Sequence, residues 1–159
     1  MTEKYHFEYS LLSNWKELED EDKMLVEKAF EAMEIAYAPY SKFRVGAAAL
    51  LENNEIVKGN NQENVAYPSG ICAERVALFY AGANFPDQKI LKLAIVARGE
   101  LMRPEQLLSP CGGCRQVMLE SENRQNRPIK VILVNQDART IVVNSVADLL
   151  PFGFGISKT

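Results

Sequence analysis

Two short apolar segments, with a helical signal between them, decide the fold class. Residues 91–97 are LKLAIVA and residues 129–134 are IKVILV. Short runs this rich in Leu, Ile and Val are typical of strands that helices cover on both faces. Between them, Ser109 and Pro110 predict a helix start, with serine as the N-cap and proline at the first helical position. A strand, a helix and a strand in this order indicate an α/β domain whose sheet lies between helices.

The segments on either side extend this alternation. Apolar residues at helical spacing predict a helix over 21–38 that stops at Pro39. The acidic run 17–22 predicts a solvated helix start, since acids suit the positive N-terminus of a helix. Further strands are predicted over 43–51, 56–59 and 140–143, and further helices over 71–83 and after Ser145. The alternation of Tyr5, Phe7 and Tyr9 predicts an edge strand near the start of the chain.

The composition limits the function classes. With 159 residues, 47% apolar and 25% charged, the chain is typical of one globular domain. A net charge of −3 argues against a broad nucleic-acid or anionic-membrane surface. No apolar run approaches the roughly 18 residues that span a bilayer, and the first residues do not form a secretory signal. We expect a cytoplasmic protein that binds neither nucleic acid nor membrane.

The cysteines and histidines restrict the chemistry. The chain has three cysteines, an odd number that a closed disulfide framework cannot use completely. His6 is the only histidine, so any chemistry that needs an imidazole must use it or do without. This excludes a serine–histidine triad supported from the body of the chain.

The spacing of the cysteines favours a metal site. Cys111 and Cys114 lie three residues apart at a predicted helix start, so both sulfurs face the same way, and Cys72 also lies at a predicted helix start. The positive end of a helix favours thiolates, which bind zinc. Three thiolates leave one tetrahedral position for water, as catalytic zinc sites do. Taken alone, Cys-x-x-Cys is also typical of a redox pair or of half a structural zinc site.

Glu74 narrows these alternatives because it follows Cys72 by two residues. A carboxylate this close to a metal-bound water can take its proton and pass it on. The combination of Cys-x-Glu with Pro-Cys-x-x-Cys is closely related to the pattern of zinc nucleobase deaminases.

Over residues 22–154 the sequence resembles the small homotetrameric cytidine deaminases. The motifs that carry the resemblance are YSKFRVGAA (40–48), NQEN (61–64), YP (67–68), GICAER (70–75), SPCGGCRQ (109–116), and LLP (149–151) followed by Phe154. The resemblance implies a three-layer α/β/α fold with a five-stranded mixed sheet. It places the catalytic domain at 21–159 and leaves 1–20 as an N-terminal extension of unknown role.

The resemblance also implies residue roles. Cys72, Cys111 and Cys114 would hold one Zn²⁺ per subunit, Glu74 would shuttle protons, and Arg75 would tune the charge of the thiolates. The residues expected to bind the nucleoside are Phe43, Asn61, Glu63, Ala73, Ser109 and Phe154. Among them, Asn61 and Glu63 would bind the ribose 3′-hydroxyl, the Ala73 N–H the pyrimidine carbonyl, and the Ser109 carbonyl the 4-amino group. Phe43 would pack near sugar and base, and Phe154 would reach the base in a neighbouring subunit.

The implied reaction is the hydrolysis of cytidine and deoxycytidine to uridine and deoxyuridine with release of ammonia. Two alternatives stay open at this point. One is a related zinc deaminase of another small molecule, such as a blasticidin-type enzyme. The other is a non-enzymatic module in which His6 completes a structural Cys₃His zinc site. Editing of polynucleotides is disfavoured because the acidic chain has no basic and aromatic stripe.

Overall fold

The computed structural model describes residues 1–155, which form one mixed sheet with helices packed on it. The strands are β1 (Ser10–Leu12), β2 (Arg44–Leu51), β3 (Ile56–Asn60), β4 (Ile90–Arg98), β5 (Lys130–Val134) and β6 (Thr140–Val143). The helices are α1 (Asp20–Glu34), α2 (Ala73–Asn84) and α3 (Gly112–Gln125), with short 3-10 turns at Trp15–Glu17, Tyr67–Ser69 and Val146–Leu149. Among the helices of this described range, none has the length and apolarity needed to cross a bilayer.

The sheet has the strand order β1-β6-β5-β4-β2-β3, in which β4 and β5 are parallel and the other neighbours antiparallel. The α/β class is confirmed, but the prediction of a five-stranded sheet was wrong, because the described residues form a sheet of six strands. The additional strand is β1, in which Ser10 pairs with Val142 and Leu12 with Thr140. It lies just after the alternation at residues 5–9. The three residues of β1 lie at a solvent-facing edge and are too few to show an alternation of apolar and polar residues. The position of β1 is instead set by its pairing with the edge of β6.

Alternate residues of the central strands pack against different helices, which gives three layers. On one face, Ala48 and Leu50 of β2 belong to the same apolar cluster as the buried residues of α1. On the other face, Ala47 and Ala49 belong to the cluster that contains α2 and α3. Side chains of a strand point alternately to the two faces, so a two-sided core requires the nearly continuous apolar strands seen in the sequence.

The acidic start of α1 is only partly solvated. The side chain of Asp22 is 1% exposed and lies 2.5 Å from the Nζ atoms of both Lys92 and Lys130. Burial alone raises the pKa of this carboxyl, but hydrogen bonds from the two lysines lower it below its ordinary value. Asp22 therefore ties α1 to β4 and β5 instead of facing solvent as expected.

Strand direction brings the starts of α2 and α3 together. Strands β3 and β4 are both antiparallel to β2, so their carboxyl ends lie at the same edge of the sheet. Helix α2 is the next long element after β3, and α3 follows β4. Gly59 permits the close approach of α2, because a Cβ atom there would lie 2.5 Å from the Ala73 carbonyl oxygen and 2.6 Å from the Ala77 nitrogen.

Candidate active site

The three cysteines meet where α2 and α3 begin. Cys72 is the N-cap residue of α2, Cys111 is the N-cap residue of α3, and Cys114 lies in the first turn of α3. Their sulfur atoms all lie within 4.8 Å of one another. Helix α3 starts at Gly112 rather than at Pro110, because the backbone of Cys111 is extended, with φ −66° and ψ 164°. The Ser109 hydroxyl instead accepts a hydrogen bond from Arg115.

This cluster fits zinc. Tetrahedral Zn–S bonds of about 2.3 Å require sulfurs about 3.8 Å apart, which the observed spacing allows. A hydrogen bond from the Cys114 thiol lowers the pKa of Cys72, and the same contact raises the pKa of Cys114. Such closely placed thiols suit a dication, which replaces their protons. His6 is not a member of the group, so the described residues give no support to the Cys₃His alternative.

Glu74 is buried beside the cysteines, in the first turn of α2. Its side chain is 5% exposed, and burial raises the pKa of the carboxyl to about 7. The negative charge of Cys72 acts in the same direction, while contact with the Cys114 thiol and the charge of Arg75 act against it. The structure therefore brings the predicted proton carrier to the predicted metal ligands.

Arg75 adds a positive charge to the same helix turn. Its charge lowers the pKa of the Cys72 thiol, after the larger effect of the Cys114 hydrogen bond. The guanidinium carbon lies 5.5 Å from the centre of the Phe79 ring. Its Nε atom is buried and has no hydrogen-bond partner among residues 1–155.

A cleft of about 650 Å³ reaches the cluster at Cys72 and has Asn61 and Glu63 in its lining. The Asn61 side chain accepts a hydrogen bond from the Val45 N–H at 2.8 Å and donates one to the Phe43 carbonyl at 2.9 Å. These bonds fix Asn61 against the start of β2. An amide has a second N–H and a second lone pair, so it can still bind a ligand hydroxyl.

Glu63 is held in the same way by the loop before β2. Its carboxylate accepts hydrogen bonds from the Tyr40 N–H at 2.9 Å, from the Ser41 N–H at 3.3 Å and from the Ser41 hydroxyl. Burial raises the pKa of this carboxyl, but the Ser41 and Tyr40 hydrogen bonds lower it overall. Between Asn61 and Glu63, Gln62 forms backbone bridges to Tyr37 and to Ile71. The segment is therefore anchored on both sides.

The other predicted binding residues have mixed positions. Ala73 is fully buried at the start of α2, where the first N–H groups of a helix have no intrahelical partner. Phe43 is 9% exposed and packs in the core behind Asn61. Ser109 precedes α3, and Phe154 is 77% exposed on the C-terminal segment. The lining of the 650 Å³ cleft does not include Phe43, Ser109 or Phe154.

Three residues that hold the site in place received no role from the sequence. Arg115 binds the loop before α3, Gln116 binds the backbone of Phe154, and Glu122 binds the start of the 3-10 turn Val146–Leu149. The first two directly follow Cys114, so the motif could have pointed to them. Glu122 has no sequence signal, because three of its four hydrogen-bond partners lie more than twenty residues further on.

Fold and site together define the class, an α/β/α domain with a three-cysteine metal centre and a buried glutamate. A family model described as the cytidine and deoxycytidylate deaminase zinc-binding region matches residues 19–142. A cytidine deaminase of Sporosarcina psychrophila is 42% identical over 85% of this chain and 91% of its own. A solved cytidine deaminase from Burkholderia pseudomallei superimposes with a TM-score of 0.71 at 38% identity, over 82% of this chain and 97% of the other. The chain belongs to the cytidine and deoxycytidylate deaminase zinc-binding family, and its cysteine cluster is a site for one zinc ion.

Proposed function

We propose that this protein hydrolyses cytidine and deoxycytidine to uridine and deoxyuridine, releasing ammonia. The observation that carries the proposal is the burial of Glu74 beside three convergent thiols, one of which, Cys72, lines the cleft that contains Asn61 and Glu63. The relatives named above are cytidine deaminases, which supports the same reaction here.

In this proposal Cys72, Cys111 and Cys114 hold the zinc ion. When bound, zinc makes a water molecule nucleophilic near neutral pH. Glu74 takes the proton of the attacking water and delivers it to N3 of the base, which makes C4 electrophilic. It then carries a proton to the 4-amino group, which leaves as ammonia. Its burial keeps bulk water away from both transfers.

Arg75 tunes the charge of the centre. Three thiolates around one dication carry a net charge of −1, which opposes deprotonation of a water there. The guanidinium and the two helix N-termini offset that charge. Support comes from the lowered pKa of Cys72 and from the buried Nε of Arg75, which is free to face an anionic centre.

Substrate recognition follows from the groups around the cleft. Asn61 and Glu63 bind the 3′-hydroxyl of the sugar through the N–H group and the lone pairs that their hydrogen bonds to the backbone leave unused. The Ala73 N–H binds the pyrimidine carbonyl and the Ser109 carbonyl accepts from the 4-amino group, while Phe43 packs near the sugar. A site that binds a hydroxyl rejects substrates without one, and a carboxylate near the sugar repels a nucleotide phosphate. Both effects favour a free nucleoside.

We further propose a homotetramer in which subunits share their pockets. Large apolar side chains at the cleft, namely Tyr40, Val65 and Tyr67, are between 57% and 92% exposed. An exposed apolar surface beside a cleft is typical of a protein interface. Phe154 is exposed as well, while Gln116 fixes its backbone through bonds of 2.8 and 3.1 Å. It is therefore available to a neighbouring subunit.

The domain division and the location complete the proposal. Residues 1–20 form an extension and residues 21–159 the catalytic domain, which agrees with a family match that begins at residue 19. A cytoplasmic location suits the chain because its three cysteines must stay reduced to bind a metal.

The substrate assignment is tested by ammonia release and zinc content. We expect turnover of cytidine and deoxycytidine, and rates at least about 10⁴-fold lower for free cytosine, which has no sugar hydroxyl to pair with Asn61 and Glu63. Cytidine monophosphate, a cytidine-containing oligonucleotide and blasticidin S complete the panel. Turnover of blasticidin S alone would overturn the assignment in favour of the related deaminase, and a zinc-loaded protein inactive on all of them would favour a structural module.

The shared pocket is tested with Phe154→Ala. Loss of an aromatic contact to a base is worth about 1–3 kcal/mol, so we expect KM for cytidine to rise about tenfold with zinc content unchanged. Co-expression of Phe154→Ala with Glu74→Gln subunits provides the control. In a mixed assembly, the Glu74→Gln subunit supplies an intact Phe154 to the site of the Phe154→Ala subunit, which keeps Glu74, and the low KM is restored there. Sedimentation of an active monomer, or no such restoration, would contradict sharing.

A further inference from the structure

Arg115 connects two segments that lie far apart in the sequence. Its Nε donates to the Pro110 carbonyl at 2.9 Å, and one terminal nitrogen donates to the Ser109 hydroxyl at 2.6 Å. The other terminal nitrogen donates to the Leu149 carbonyl at 2.8 Å. One guanidinium therefore links the loop before α3 to the end of the 3-10 turn Val146–Leu149.

The far segment is a firm anchor because Glu122 holds its start. The buried Glu122 carboxylate accepts hydrogen bonds from the N–H groups of Val146 at 2.7 Å and Ala147 at 3.2 Å, and from the Ser145 hydroxyl at 2.7 Å. It also accepts one from the Ile129 N–H at 2.8 Å. Glu122 thus fixes the turn to α3, and α3 to the residue just before β5.

The near segment contains the Ser109 carbonyl, which is part of the Ser109–Pro110 peptide group. On one side of that planar group Arg115 holds the Ser109 side chain, and on the other side it holds the Pro110 carbonyl. Proline also fixes φ at residue 110. Further back, the Asn135 side chain accepts from the Leu108 N–H at 2.8 Å. These restraints, on both sides of the Ser109 carbonyl, limit how far it can turn.

We propose that Arg115 is a positioning residue that aims the Ser109 carbonyl at the 4-amino group of the substrate. The inference rests on the proposed function, in which that carbonyl accepts a hydrogen bond from the leaving group. Three diverging hydrogen bonds need the planar fork of arginine, and a lysine at this position would keep the charge but lose the geometry.

The experiment compares Arg115→Lys and Arg115→Met with wild type. Arg103→Met is the matched control, since the Arg103 side chain is 82% exposed. Zinc content, thermal unfolding, kcat/KM for cytidine and the inhibition constant of uridine are measured for each. We expect full zinc and a loss of about 10- to 100-fold in kcat/KM for both Arg115 variants, because small misplacements of reacting groups cost rate steeply. Uridine cannot donate from C4, so its inhibition constant stays within about twofold.

Each other outcome overturns the inference. If kcat/KM is unchanged in Arg115→Met, Arg115 does not position the Ser109 carbonyl. If Arg115→Lys is fully active, the positive charge of Arg115 matters and its hydrogen-bond geometry does not. A parallel loss of zinc or of uridine binding in both variants reduces Arg115 to a structural residue. If the wild type binds zinc but does not act on cytidine, the proposed function fails together with this inference. If the wild type is active and only the Arg115 variants behave otherwise than expected, this inference alone fails.

Discussion

Glu74→Gln is expected to bind zinc and fold normally while kcat for cytidine falls about 10²- to 10⁴-fold, the range for loss of a general acid–base group. Glutamine has nearly the same shape as glutamate but cannot accept the proton of water or pass it to N3 and the 4-amino group. The side chain is 5% exposed, so a neutral amide costs no more to bury than the carboxyl it replaces. Ammonia release and a metal count on the same sample measure the two quantities.

Glu120→Gln is the matched control for this variant. Glu120 lies on α3 and is exposed, so the same chemical change there should leave kcat within about twofold, as surface substitutions usually do. If Glu74→Gln retained wild-type kcat with one zinc per subunit, Glu74 would not be the proton carrier. If it lost zinc, its role would be to support the metal ligands.

Cys114→Ala is expected to remove zinc and lower activity by about a thousandfold or more, since a catalytic metal contributes several kcal/mol to the transition state. Cys114 is 1% exposed and its sulfur lies within 4.8 Å of the sulfurs of Cys72 and Cys111. The variant leaves two thiols, so zinc would lack its third protein ligand. Chelation of wild type should give the same loss of activity, and added zinc should restore wild type but not the variant.

Ser121→Ala controls for loss of a small buried side chain from the same helix. Its hydroxyl donates a hydrogen bond to the Val117 carbonyl, one turn back along α3 and away from the cysteines. We expect full zinc and full activity from it. Retention of one zinc per subunit by Cys114→Ala would show that the metal is held elsewhere and would contradict the site.

The sequence predicted the residues of the metal site better than it predicted the long-range contacts that hold the fold together. The residue types and spacing of Cys72, Glu74 and Cys114 pointed to their meeting place because helix starts favour thiolates and the motif leaves one ligand position for water. The burial of Asp22 was missed because its lysine partners come from strands about 70 and 108 residues further along the chain. Local pattern carries no signal for such long-range pairs.

By itself the sequence determined the α/β class and predicted the metal ligands and the proton carrier, because each depends on residue type and short-range spacing. Only the tertiary structure decided how many strands the described sheet has, where α3 begins and what holds the site loops. Strand β1 pairs with the edge of β6, α3 starts at Gly112 after the extended backbone of Cys111, and Arg115 links the loop before α3 to Leu149. Those outcomes depend on hydrogen-bond partners distant in sequence, and only the folded chain brings such partners together.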